Sequence, residues 1–358
     1  MLISLFVYCR NLSRKLTDTT TIFRNINYKA SCQLELHRCG KHKIAIRGKL
    51  IDVLIDQSST TNFYDSDNYV YLSNLIFVNS IVYILGINMQ FKNCKFEQTR
   101  IKGDGYLKSI VFEASVFENF NNTALWSKRL IEFSTFSEAL YQFCWFKGLL
   151  NFRSGALILM KKCNKVIFKS CLVTNIKGTL ISILKSFHVL LLTIKLRNAE
   201  ISKHSYKLEG SLITITNSYL ILLFKSDFID SKAPIFHIVS PMLISFQQSL
   251  FYKCTTLSDK SLTVVSFLQE KTPTKFIFQN LVFDSCESAI YIILDINKNQ
   301  DKIQVKAKSY DMQMITKSEG PFEVNIVSSI FKDCFSNFNG VALHMSLATA
   351  SKSSTLSI

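Results

Sequence analysis

Glycine and proline are scarce in this chain, at 11 and 4 of 358 residues. That scarcity excludes collagen-like, linker-like and low-complexity organisation. Basic residues never gather into a run, and the signatures of RNP-type or finger-type nucleic-acid binders are missing. The formal net charge of +16 therefore favours anionic partners in general and carries no specific nucleic-acid signal. No apolar run is long enough to span a bilayer uninterrupted. The best window, residues 178–196, is broken by Lys185, His188 and Lys195. A charge near mid-bilayer costs about 2.5–3.5 kcal/mol, so the window reads as two buried strands and not as a transmembrane segment. Met1 to Cys9 is apolar but lacks a basic leader and a small-residue cleavage site, which makes it a poor signal peptide. Neither a Gly-Lys-Ser phosphate loop nor a Gly-x-Ser-x-Gly elbow is found. The histidines His37, His42, His188, His204, His237 and His344 pair with no Ser or Cys at motif spacing. No catalytic or cofactor-binding residues are assigned on these grounds.

What is present is apolar residues, 48% of the chain with 29 phenylalanines, and a repeat built from them. An apolar residue is followed by a small residue at three, an aromatic at five and a small residue at eight. Phe246, Ser249, Phe251 and Cys254 show it, as do Phe278, Leu281, Phe283 and Cys286, and Ile326, Ser329, Phe331 and Cys334. Earlier copies read Phe91, Cys94, Phe96, Thr99 and Phe168, Cys171, Val173, Ile176. A second element, one small residue opening an apolar strand, recurs at 155–160, 178–183, 210–215, 233–238, 288–293 and 340–345. From Phe96 to Phe117, Phe228 to Phe251 and Phe251 to Phe283 the steps are 21, 23 and 32 residues. Steps of that size are the mark of a solenoid, whose units bury their apolar faces only against neighbours. The gap from Val173 to Phe228 reads as two coils, with residues 190–196 supplying the middle one. The gap from Phe283 to Phe331 is either two coils or one coil with an insertion around residues 297–311.

The expected fold is all-β, a single-stranded parallel β-helix of about ten coils. Residues 1–66 read as an N-terminal cap or leading partial coil, 67–347 as the β-helix and 348–358 as a polar tail. That tail lacks an obvious cap, which suggests a segment of a larger protein. Stacking identical side chains predicts a column through Phe96, Phe117, Phe146, Phe228, Phe251, Phe283 and Phe331, flanked by Cys and Ser columns.

With these features the chain resembles the right-handed parallel β-helix of the pectin-lyase-like fold. Its repeats resemble those of polymorphic outer-membrane proteins, which carry a Phe-x-x-Asn element and a Gly-Gly-Ala-Ile-like strand. The resemblance covers about Tyr69 to Met345 and implies architecture. Cys254, Cys286 and Cys334 stand where that family has Asn, and one small residue replaces its glycine pair.

The ten cysteines sort by repeat position. Cys94, Cys144 and Cys171 share one column, and Cys254, Cys286 and Cys334 share another, as expected of small buried residues in ladders. In an oxidising compartment, Cys144 with Cys171 or Cys254 with Cys286 would come within bridging range. Cys32, His37, Cys39 and His42 hold zinc-compatible ligands without the Cys-x2-Cys knuckle, so no metal site is assigned. Enzymes acting on polysaccharides with this fold imply clustered carboxylates and an ordered motif set, of which only Arg100-Ile101-Lys102 is present. Asp230, Lys253, Ser285 and Asp333, two positions after the ladder aromatic, read as outward polar residues. His237 and His344 share a slot of the second element and read as structural. Sequons at Asn11 and Asn121 fit a secreted context. The leading expectation is a non-catalytic surface or structural protein, extracellular or membrane-associated, binding anionic glycans or other surface proteins. The alternative is a carbohydrate-active enzyme or lectin for acidic polysaccharides.

Overall fold

The computed structural model describes residues 88–121, 129–151, 155–201, 211–255, 275–286 and 325–334 with side chains, apart from a few further positions. It also describes the backbones of other strands between residues 5 and 357. Strands are the only regular elements among the described residues. The chain divides into two units, Met1–Leu150 with Leu157–Leu172, and Asn151–Ala156 with Val173–Ile358.

In the first unit the chain visits three parallel sheets in turn. The first sheet holds Ile81–Leu85, Arg100–Asp104, Ile131–Ser134 and Ile158–Lys161. The second holds Tyr69–Ser73, Asn88–Lys92, Ser109–Glu113, Glu138–Gln142 and Lys165–Lys169, and the third Ile76–Val78, Lys95–Glu97, Val116–Glu118 and Trp145–Leu150. The second unit repeats the plan. There Ile213–Thr216, Phe236–Val239 and Val265–Gln269 lie in the first sheet, Leu220–Phe224, Leu243–Gln247 and Thr274–Gln279 in the second, and Asp227–Lys232, Leu250–Tyr252 and Val282–Asp284 in the third. This is the parallel β-helix the repeat demands. The recurrent small-residue strands all fall in the first sheet, and the apolar residue and the aromatic of the repeat fall in the second and third.

Residues 188–200 supply the expected middle coil, since Lys195–Glu200 pairs directly with Asp227–Lys232. Val282 pairs with Ile330 in register, so the long step between Phe283 and Phe331 is one coil carrying an insertion. The window at 178–196 is divided more finely than expected. Ile181–Leu184 belongs to the first sheet, His188–Leu192 to the second, and Lys195 already opens the third. Outside the coil pattern, Leu5–Cys9 pairs antiparallel with Leu12–Leu16 and with Cys32–Leu36.

Strand alternation aims every second side chain inward, and register then stacks like on like. In the first unit Phe77, Phe96 and Phe117 stack at 4.9 Å, and Phe117 on Phe146 at 4.8 Å. A second column runs through Phe91, Phe112, Tyr141 and Phe168, with centroids 5.0, 5.0 and 4.6 Å apart. The columns meet edge to face, as at Phe91 with Phe96 (5.4 Å, 76°). Each buried ring contributes about 1.5–3 kcal/mol by transfer from water, and each aromatic pair about 0.5–1.5 kcal/mol more.

Tyr141 breaks this column chemically. It is wholly buried where its neighbours are Phe, and its hydroxyl has no hydrogen-bond partner. Burial, with Cys144, Cys163 and Cys171 nearby, pushes its pKa well above the ordinary tyrosine value. An unpartnered buried hydroxyl costs about 1–3 kcal/mol. Tyr141→Phe should therefore raise the urea midpoint, with a gain of about 1–2 kcal/mol.

The corners explain how so few glycines suffice. Between second and third sheets one residue per coil takes a left-handed conformation: Asn93, Ala114, Phe143, Ser170, Thr193, Lys225, Gln248, Asn280 and Ser328, with φ between 48° and 56°. A second left-handed residue follows at the end of the third-sheet strand or within it, at Gln98, Asn119, Gly148, Asn175, Asn198, Asp230, Lys253, Ser285 and Asp333. A left-handed residue other than Gly costs roughly 1–2 kcal/mol. The ladder offsets it, because the corner amides keep bonding to the next coil, as Phe143 N–H does to Lys169 O (2.9 Å) and Thr193 N–H to Phe224 O (2.8 Å). β-Branched Thr193 is the worst suited of these residues. Thr193→Asn should raise stability by about 1 kcal/mol, read from the denaturation midpoint.

Just past each corner sits the small residue of the repeat. Its hydroxyl or thiol donates to the carbonyl two residues before, as Ser115 does to Glu113 (3.1 Å) and Cys144 to Gln142 (3.5 Å). Where it is Ser, it also accepts the amide of the preceding coil, as Ser226 does from Ile194 (3.1 Å) and Ser249 from Ser226 (3.2 Å). A small polar residue is favoured there because its short side chain bonds the local backbone, although Ile194 and Leu281, both buried, occupy the same position in other coils.

Candidate functional site

The two cysteine columns lie as the repeat predicts. Cys94, Cys144 and Cys171 occupy the position after the first corner, Cys254, Cys286 and Cys334 the position after the second, and all six are free thiols. Each thiol also has a backbone acceptor two residues upstream, and Cys286 a second at Phe251 O of the neighbouring coil (3.3 Å). Burial pushes the Cys163 and Cys334 thiols up to about 11. A buried, neutral thiol such as Cys163 is a packing group and a poor nucleophile.

His237 pairs in register with Thr214 and Ser266, and its row continues through Tyr291 to His344. Burial lowers the His237 pKa. Arg100 of the Arg-Ile-Lys triplet faces Glu132 at 3.7 Å, while Ile101 fills the core. The side chains of Cys32, His37, Cys39 and His42 lie outside the described residues. Among the described residues no group of three or more metal-ligating side chains converges. No helix there is long and apolar enough to cross a membrane.

The surface becomes informative on the outward face of the third sheet in the first unit. Lys95, Val116 and Trp145 form one row in register, and Glu97, Glu118 and Lys147 form the next. Between these rows Phe96, Phe117 and Phe146 point inward. This brings two carboxylates from adjacent coils together, Glu97 and Glu118. Lys95 Nζ sits between them, 3.2 Å from Glu97 and 2.7 Å from Glu118. The hydrogen bonds that Lys95 donates to those two carboxylates raise its pKa, the bond to Glu118 most. Asn119 Nδ2 adds a bond to Glu118 (3.5 Å), and Gln98 bridges to the backbones of Asn119 and Asn121.

Beside this ionic network stand two exposed aromatic residues. Trp145 is 38% exposed and Phe143 is 56% exposed. Lys147 Nζ lies 5.1 Å from the Trp145 ring centroid. Phe143 occupies a left-handed corner with Ala114 and Ser170 at the equivalent positions of the flanking coils. Its ring therefore stands between two small side chains. The signal in the sequence is two aromatics in slots that Asn93 and Lys95, or Ala114 and Val116, fill in other coils. It is masked by the abundance of Phe everywhere else.

Chemically this face offers aromatic surface, ammonium donors and carboxylate acceptors. Glycoside hydrolysis by paired carboxylates needs room between them for a substrate oxygen, and in the inverting case a water. Lys95 occupies that room. Comparison with protein families, curated proteins and solved structures returns no match for this chain.

Proposed function

We propose that this chain is a non-catalytic, surface-exposed β-helix with a structural and adhesive role, working outside the cell or at a membrane. The observation that carries the reading is the separation of the repeat into two sets of columns. Inward columns are fully committed to packing and corner bonds, and outward rows carry aromatic and charged side chains suited to binding. The same reading takes pectin-lyase-like proteins and polymorphic outer-membrane protein repeats as kin, on the strength of the shared repeat grammar. Binding of glycans or surface proteins is the activity expected of such a face, with the +16 charge favouring anionic partners elsewhere on the exterior.

A second reading, a carbohydrate-active enzyme or lectin for acidic polysaccharides, draws on the Glu97 and Glu118 pair. Its lectin form shares the binding face, whereas its enzyme form requires Lys95 to leave the carboxylates. The experiment is a glycan array combined with a turnover assay on the glycans that bind. Retention without new reducing ends or unsaturated uronates is expected. Product formation, abolished by Glu118→Gln, would replace the proposal with the enzyme.

A further inference from the structure

We infer that the outward face of the second sheet in the second unit docks on an anionic lipid surface. This gives the membrane alternative of the reading above a contact surface and rests on it, whereas glycan binding does not depend on it. Three successive strands make the face, His188–Leu192, Leu220–Phe224 and Leu243–Gln247, paired in register. Val189, Leu191, Ile221, Leu223, Ile244 and Phe246 point inward and are buried. The alternate positions point outward, and most of them are apolar as well: Leu190, Leu192, Leu220, Leu222, Phe224 and Leu243 all stay partly exposed. At the corner leading into these strands stand Phe187, Tyr219 and Met242, exposed at 48%, 43% and 38%.

The fold does not ask for this. In the first unit the middle outward position is apolar, as at Val111 and Leu140, but the strands Ser109–Glu113, Glu138–Gln142 and Lys165–Lys169 begin and end on polar or charged residues. A solvated sheet alternates apolar inside with polar outside, so a contiguous apolar patch on the outside marks a contact surface. The backbone sets no penalty against lipid, because strand amides and carbonyls bond within the ladders. Charge names the partner. None of the three strands carries a carboxylate, and lysines border them. Lys185 lies two residues before Phe187, and Lys225 directly follows Phe224, its Nζ 5.2 Å from that ring's centroid. Lys195, on the adjoining sheet, is matched in register by Asp227 and adds nothing to the argument. Apolar surface with a tyrosine at its margin and lysines around it fits the headgroup boundary of an anionic bilayer, where side chains enter the acyl region and ammonium groups stay among phosphates. A second copy of the chain is the poorer occupant, since a symmetric contact sets one lysine-bordered patch on another.

The test is co-sedimentation of the full chain with vesicles of phosphatidylserine in phosphatidylcholine, against phosphatidylcholine alone. Wild type should bind the anionic vesicles, and more weakly as salt is raised. Phe187→Ser and Met242→Ser should each weaken binding about tenfold, and Lys225→Gln about fivefold. Phe143→Asn, at an exposed aromatic of the first unit, should leave binding unchanged. A readout that does not depend on truncating the face comes from Met242→Trp in a chain that also carries Trp126→Phe and Trp145→Phe. Its emission should be quenched by lipids brominated in the acyl chain. No binding to the anionic vesicles overturns the inference, as does binding that the Phe187 and Met242 variants leave intact, or a Met242→Trp emission untouched by brominated lipid. A dimer in sedimentation velocity that the same variants dissociate assigns the face to a second copy and also overturns it. In each of these cases the glycan array decides the adhesive role separately.

Discussion

Replacing Phe251 by alanine is expected to cost the second unit about 3–5 kcal/mol, a large share of the stability of an ordinary domain. Phe251 is wholly buried and stacks on Phe228 at 4.9 Å and on Phe283 at 4.5 Å, the latter within 4° of parallel. Truncation removes transfer energy, two ring–ring contacts and the support of both neighbours at once. The backbone has little means of collapsing into the void, because Leu250 and Tyr252 are pinned in ladders to Asp227 and Ile229 on one side and Val282 and Asp284 on the other. Hydrogen exchange should show the loss concentrated in coils near Phe251, since solenoid stability is a sum of near-neighbour terms. Phe251→Leu, which keeps most of the volume, should cost far less. Equal losses for both would mean that the column does not carry the stability.

Gly178→Ala should be nearly as damaging, at about 3–4 kcal/mol, although it adds only a methyl group. Gly178 has φ +92°, and a Cβ there would stand 2.4 Å from Asn151 O and 2.8 Å from Asn151 Cβ. Neither partner can retreat. Gly178 N–H bonds to Glu200 O at 2.7 Å, and Asn151 N–H to Lys177 O at 2.7 Å. Asn151 Nδ2 further bonds Gly155 O at 2.6 Å and Thr179 O at 3.1 Å. The clash is with backbone, so no rotamer change relieves it. Thermal denaturation checks the loss, and an unchanged midpoint would show that this corner adapts.

The architecture was legible because a solenoid writes each structural requirement once per coil. Phe at position five, Cys or Ser at three and eight, and the small residue opening the first-sheet strand recur often enough to be read without any single copy being decisive. The corners were not legible in the same way. Asp230, Lys253, Ser285 and Asp333 looked like ordinary outward polar residues, yet each supplies a left-handed bend. Residues as different as Ala114, Thr193 and Lys225 do the same at the other corner. Conformation there is imposed by ladders on both sides, so side-chain identity records it only faintly. The exposed face was hidden for a related reason. Phe143 is the same residue type as the core phenylalanines but stands at a left-handed corner, where it is exposed.

The long step between Phe283 and Phe331 shows what sequence spacing leaves open. Two coils and one interrupted coil give the same residue count, and only direct pairing of Val282 with Ile330 decides for one. The Glu97 and Glu118 pair, by contrast, follows from the 21-residue step between Phe96 and Phe117, since each glutamate stands one position after a ladder phenylalanine.

Successive coils in register is the claim on which the fold, the columns and the binding face all depend. Ring-to-ring NOEs in a sample labelled only at phenylalanine test it most directly, with assignments made by single Phe→Leu replacements. A strong cross-peak is predicted between Phe251 and Phe283, whose centroids are 4.5 Å apart, and another between Phe283 and Phe331 at 5.2 Å. None is predicted between Phe251 and Phe331, two coils apart. Absence of the first two peaks, or a direct peak between Phe251 and Phe331, would contradict the stacking.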